Sequence, residues 1–131
     1  MILYYSGLKV NLRSSLLSNV PGHRIMIQGE KGNFTKYGND IQEGLLMKGE
    51  LPSGKNWGKE DGSKWAIITF ENESYSYPTL PGNYMAFFDN LYEAITENAE
   101  LFVKPEEARD VIKIIKLAQQ SQAEQRIVDV V

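Results

Sequence analysis

Residues 36–43 read Lys-Tyr-Gly-Asn-Asp-Ile-Gln-Glu, a run whose side chains could do chemistry. Lys36 could neutralise an anionic or hydroxyl-rich ligand, and Tyr37 adds a phenol. Asp40 and Gln42 could bond the hydroxyls of a sugar-like molecule. The same groups have a second use: hydrogen bonding within the domain to pin the irregular chain that follows. Gly38 would then supply an unusual backbone angle.

Other chemistries lack their parts. The carboxylates available in pairs are Asp40 with Glu43, and Glu71 with Glu73. The second pair, two residues apart on a strand, would point to one side and read as a solvated strand end. His23 is the single histidine and there is no cysteine, so neither a closed metal site nor a Ser/His/acid arrangement can be assembled. His23 reads as a solvated or sheet-edge residue. The stretch GKNWGKEDGSK imitates a phosphate loop. Its Gly54-to-Gly58 spacing is one residue short, and Glu60 stands where a magnesium-holding hydroxyl is needed. No glycine fingerprint for a dinucleotide follows any strand.

A chain of 131 residues with 42% hydrophobic and 24% charged residues suits a single domain, 1–131. A net charge of -3, with no basic and aromatic interleaving, argues against nucleic acid. No apolar run approaches the roughly 20 residues that span a bilayer, and the expected compartment is the cytoplasm.

Positioning elements follow from periodicity. Residues 2–5 and 8–17 alternate around Ser6-Gly7 as a hairpin. HRIMIQG and GNFTKYG read as two further strands, and WAIITFENESYSYPTL as one or two more. Residues 39–64, with five glycines, are expected to be mostly irregular. NYMAFFDNLYEAITEN then shifts to a helical period, and Pro105-Glu106-Glu107 opens a second helix. Residues 126–131 would close as a short strand. The expected fold class is α+β: a mostly antiparallel open sheet with helices packed on one face. The other face, with Asn11, Arg13, Ser15, Tyr75 and Tyr77, would be free to meet a partner sheet, which predicts a homodimer or an oligomer built from dimers.

Gly29, Gly32, Phe34, Lys36, Tyr37, Gly38, Asp40, Gln42 and Glu43, together with PTLPGNYMAFFDNLYEAI and VKPEEARDVIKIIKLAQQS, carry a family resemblance. Over nearly its whole length the chain resembles the C-terminal domain of the glucose-fructose oxidoreductase / inositol dehydrogenase / MocA family. The resemblance implies a larger NAD(P)-dependent oxidoreductase acting on a hydroxyl or carbonyl of a sugar-like or cyclitol substrate. An N-terminal Rossmann domain would hold NAD or NADP. This chain would bind no cofactor itself, carry no catalytic residue and be inactive alone, while providing one active-site wall, with Lys36, Tyr37, Asp40 and Gln42 as substrate contacts, and the subunit interface. Strand-like sequence from the second residue suits a domain cut from a longer protein. The alternative is a stand-alone dimerising interaction module without catalysis.

Overall fold

The computed structural model describes residues 1–130. They form two compact units: Ser18–Asp89, and Met1–Leu17 together with the chain from Asn90 onward. All strand pairs are antiparallel and the class is α+β, with two open sheets in place of the single one expected.

In the Ser18–Asp89 unit the sheet runs in sequence order: β1 (Ile25–Gln28), β2 (Gly32–Lys36), β3 (Ala66–Phe70) and β4 (Glu73–Tyr77). Register places Ile27, Phe34, Ile68 and Tyr75 in one row across the sheet. Because side chains alternate, Gln28, Asn33, Thr69 and Ser74 form a polar row on the opposite face. There the Thr69 and Ser74 hydroxyls lie 2.9 Å apart. Glu71 sits at φ 53° in the turn, and Glu73 begins β4. The turn therefore breaks the expected alignment of these two carboxylates along one strand.

Residues 39–64 are less irregular than their glycines suggest. A short helix, α1 (Ile41–Met47), starts where Asp40 Oδ1 accepts the Gln42 N–H at 2.9 Å. It ends at Gly49, whose φ of 80° suits a left-handed stop and whose N–H bonds back to Leu46. A single 3-10 turn at Gly62–Lys64 is capped by Asp61 in the same manner.

In the other unit, an N-terminal hairpin pairs Ile2–Tyr5 with Leu8–Asn11, and Gly7 turns the chain at φ 77°. It is shorter than its alternating sequence predicts. One further step of pairing joins Met1 to Leu12, after which Ser15 Oγ accepts from Leu17 N and holds the backbone locally. Helix α2 (Tyr84–Glu97), whose residues 84–89 belong to the Ser18–Asp89 unit, stops at Asn98, which adopts φ 57° while Ala99 N–H reaches back to the Glu93 carbonyl. Helix α3 (Pro105–Glu124) begins with proline in its first turn, and Glu107 accepts the Lys104 N–H at 3.0 Å. Residues 126–130 pair with none of the described strands and Ile127 is exposed; Val131, the last residue of the expected strand, lies outside the described residues.

Asn90 ties the α2–α3 connection together. It is 5% exposed, donates to the Glu100 carbonyl at 2.9 Å and accepts from Phe102 N–H at 2.8 Å. Asn90→Ala is expected to cost about 1–3 kcal/mol by orphaning both backbone groups, read as a lowered midpoint in denaturant unfolding.

Candidate functional site

The C-terminal end of β2 delivers Lys36, and the two residues after it diverge. Tyr37 is half-exposed, and its hydroxyl pairs with His23 Nε2 at 2.7 Å, the rings tilted and 4.6 Å apart. This contact is possible because the Arg24 N–H bonds to the Lys36 carbonyl, extending the β1–β2 ladder by one step. Lys36 lies in the domain's polar interior instead. Its ammonium donates to Glu60 Oε2 at 2.5 Å and to the Lys64 carbonyl at 2.6 Å.

Shelter sets this ion pair apart. The Lys36 and Glu60 side chains are 12% and 5% exposed, against 50% and 79% for Lys104 and Glu100. Exposed pairs of the latter kind contribute little because water screens them. Burial pushes the Glu60 carboxyl up. The Lys36 hydrogen bond and charge and the neighbouring Thr79 hydroxyl outweigh that push and the smaller one from Asp40, so the carboxyl is held below the ordinary 4.5. The Thr79 oxygen is near enough to favour the ionised form, yet it closes no hydrogen bond of ordinary geometry and is shielded from solvent.

Gln42 is the third component and has no exposed surface. Its Nε2 donates to Asp40 Oδ2 at 2.9 Å. Its Oε1 accepts from the Trp57 indole at 2.8 Å and from Tyr84 N, the first residue of α2, at 3.2 Å. A single amide thus joins the N-terminus of α1, the middle of the 39–64 excursion and the N-terminus of α2. Asn83 Oδ1 accepts from Ala86 N at 3.3 Å and occupies another free donor of that helix. The packing leaves no room for side chains nearby. A Cβ on Gly82 would strike Asp40 Oδ2 and Gln42 Nε2, and one on Gly58 would strike the Gly82 carbonyl.

Between these groups lies a cavity of about 120 Å³, lined in part by Lys36, Asp40, Gly58, Glu60, Thr79 and Gly82. The fold therefore brings Lys36 and Asp40 to one cavity, with Gln42 holding Asp40, and sends Tyr37 to the His23 pair. The polar bonds these four residues make in the structure are internal. Of the residues expected at an interface, Asn11 ends the hairpin, and Arg13 and Ser15 follow it outside any strand. Tyr75 and Tyr77 lie in β4 of the four-stranded sheet. All five are exposed.

Glu60, Thr79, Trp57, Gly58 and Gly82 did not stand out in the sequence. Gly58 and Glu60 drew notice only as parts of an imperfect phosphate loop. One local signal for α1 was present: Asp40 followed three residues later by Glu43 is the spacing of a helix N-terminus.

Glu60→Gln should cost about 1.5–3 kcal/mol at neutral pH, the usual range for a hydrogen bond to a charged group. The lowered carboxyl also fixes the sign of the pH effect. Its contribution is full above 4.5 and is lost as pH falls through the depressed folded value. Urea unfolding from pH 7 downward should show this loss in the parent protein and a flatter acid limb in Glu60→Gln.

The pattern of an oxidoreductase family's C-terminal alpha/beta domain matches residues 1–130. The chain is 30% identical over 98% of its length to scyllo-inositol 2-dehydrogenase (NADP(+)) IolW of Bacillus subtilis, of which it covers 37%. It is likewise 30% identical over 92% of its length to the Escherichia coli oxidoreductase YdgJ, covering 35% of that protein. Among solved structures, the Bacillus subtilis oxidoreductase yvaA superposes with a TM-score of 0.94 at 30% identity, over 99% of this chain and 40% of that one. The chain thus spans a little over a third of the length of these relatives. With the match running from end to end in both sequence and fold, the chain belongs to the Gfo/Idh/MocA oxidoreductase family as its C-terminal alpha/beta domain.

Proposed function

We propose that this domain works within an NAD(P)-dependent oxidoreductase that transfers a hydride between nicotinamide and a hydroxyl or carbonyl of a cyclitol or sugar-like substrate. The observation that carries this reading is the similarity, over 98% of the chain, to a relative named as a scyllo-inositol dehydrogenase using NADP(+). In this reading the dinucleotide belongs to a Rossmann domain elsewhere in the protein. The described residues do not suit it: every strand pair is antiparallel, and no glycine-rich turn leads from a parallel strand into a helix N-terminus.

The domain's own contribution would be a wall and an interface. Lys36 and Asp40 would face the substrate from their cavity, Tyr37 would lie at the solvent side, and Gln42 would hold Asp40 in place. Tyr75 and Tyr77, each about half exposed, and Asn11, Arg13 and Ser15 would meet a second copy in a dimer. Many large apolar side chains on both units are open, Ile27 at 59% and Val111 at 59% among them, which favours a domain covered by neighbours. No helix among the described residues is long and apolar enough to cross a membrane, and we place the enzyme in the cytoplasm.

Calorimetry of residues 1–131 with NADP+ should give no binding heat, whereas the protein joined to its cofactor domain should reduce NADP+ with scyllo-inositol. Tight NADP+ binding by the 131 residues alone would overturn the division of labour. Light scattering at high protein concentration should report a dimer or a multiple of it, and a monomer would remove the interface role.

A further inference from the structure

Helix α3 carries a stripe that the fold leaves uncovered. Arg109, Ile112, Lys113, Lys116, Leu117 and Gln120 recur at steps of three and four, and they alone line an open groove of about 480 Å³ along the helix. Ile112 and Leu117 give the groove apolar walls, and its rim is cationic. Arg109 bonds Asp110 in an exposed pair, of the kind that water screens. Lys116 makes no ion pair among the described residues.

The complement to this stripe stands on α2. Tyr92, Glu93 and Thr96 fall on one face of that helix, given its 3.6 residues per turn. Tyr92 is 66% exposed. Glu93 is also exposed and makes no ion pair among the described residues. The Thr96 hydroxyl donates to the Tyr92 carbonyl at 2.9 Å, so it needs no outside partner. These three residues and the whole of α3 belong to one compact unit, yet no α2 residue enters the lining of the α3 groove. One chain therefore carries both halves of a contact and does not join them itself.

The chemistry of the two halves selects the occupant. A phenol ring gains from apolar walls and from a cation over its face, and a carboxylate beside the ring can meet the Lys116 ammonium. Tyrosine is also a rigid anchor that loses little freedom when buried, which suits it to interfaces. A free anion such as phosphate would find cations here but not the apolar contact. The chain's net charge of -3 opposes a polyanion as long as nucleic acid.

We propose that the α3 groove of one copy of this protein receives Tyr92 of a second copy, with Glu93 of that copy set against Lys116. A two-fold axis makes the contact twice and closes it. The surface shares no residue with the sheet interface of the proposed function, and the two contacts together would build a tetramer from dimers.

The test is light scattering and sedimentation of the full-length protein, of Glu93→Lys, of Lys116→Glu, and of an equal mixture of the two variants. Either variant alone sets like charges against each other and should weaken the helix-mediated association about tenfold or more. In the mixture the exchanged charges meet at one contact and the native charges at the other, so association should return to within about threefold of the parent. Tyr92→Ala should weaken association and Tyr92→Phe should retain it. If the alanine variant fails to fold, the charge exchange still decides. High salt should weaken the parent's association. Charge variants that associate as the parent does would overturn the proposal, as would a mixture no better than either variant alone. A groove covered by another part of the same protein predicts both of those outcomes. Tyr75→Ala combined with Tyr77→Ala separates the two interfaces. Helix-mediated association should survive that change, and its complete loss would overturn the proposal. An assembly unaltered by it would count against the sheet interface alone.

Discussion

A primary amide removed from water has to find its hydrogen bonds inside the protein, and Gln42 is such an amide. Three segments that are distant in sequence answer it: the cap at Asp40, the indole of Trp57 and the first N–H of α2 at Tyr84. Each segment is weak by itself. A seven-residue helix containing a glycine is marginal alone, and the chain around Trp57 has little regular structure. Tied to a common group, they acquire one arrangement. The glycines at 58 and 82 follow from the same constraint, because the backbone comes so close that any side chain would collide with the network.

The Lys36–Glu60 pair depends on that arrangement in turn. Lys36 comes from a strand, whose ladder fixes its direction, while Glu60 comes from the excursion that Gln42 and Trp57 hold. A sheltered ion pair between a rigid and an irregular element is stable only when the irregular one is held. Otherwise the desolvation of the two charges exceeds their attraction. The cavity beside the pair is preformed for the same reason, its walls being backbone at Gly58 and Gly82 and short side chains at Asp40 and Thr79.

Much apolar surface remains in contact with solvent. Ala66 is the single apolar residue that is fully buried among the described residues, while Ile25, Ile27, Phe70 and Val111 are all substantially open. A sheet with one aromatic and aliphatic row and one polar row has two chemically different faces to offer. For a domain spanning about a third of its relatives, such surface agrees with the proposed docking against other parts of an enzyme.

Alternation at 25–28 and 32–36, the Pro105 start and the acidic first turn were enough to place the four-stranded sheet and the two long helices. These features arise from neighbouring residues and are therefore legible locally. The same rule explains the errors. Residues 12–15 continue a period of two, but beyond Leu12 they pair with no strand, and Ser15 bonds its own backbone neighbour instead. Residues 126–130 have strand-forming composition but pair with none of the described strands. Family membership was also legible, through the spacing of Lys36, Gly38, Asp40, Gln42 and Glu43. The sequence alone thus determined the element types, the α+β class and the family. Only the tertiary structure decided what those polar residues do. Whether Lys36 meets a ligand or Glu60, and whether Gln42 faces water or closes a network with Trp57 and Tyr84, depends on partners 15 to 42 residues away, and local periodicity carries no information about which distant groups a buried donor will find.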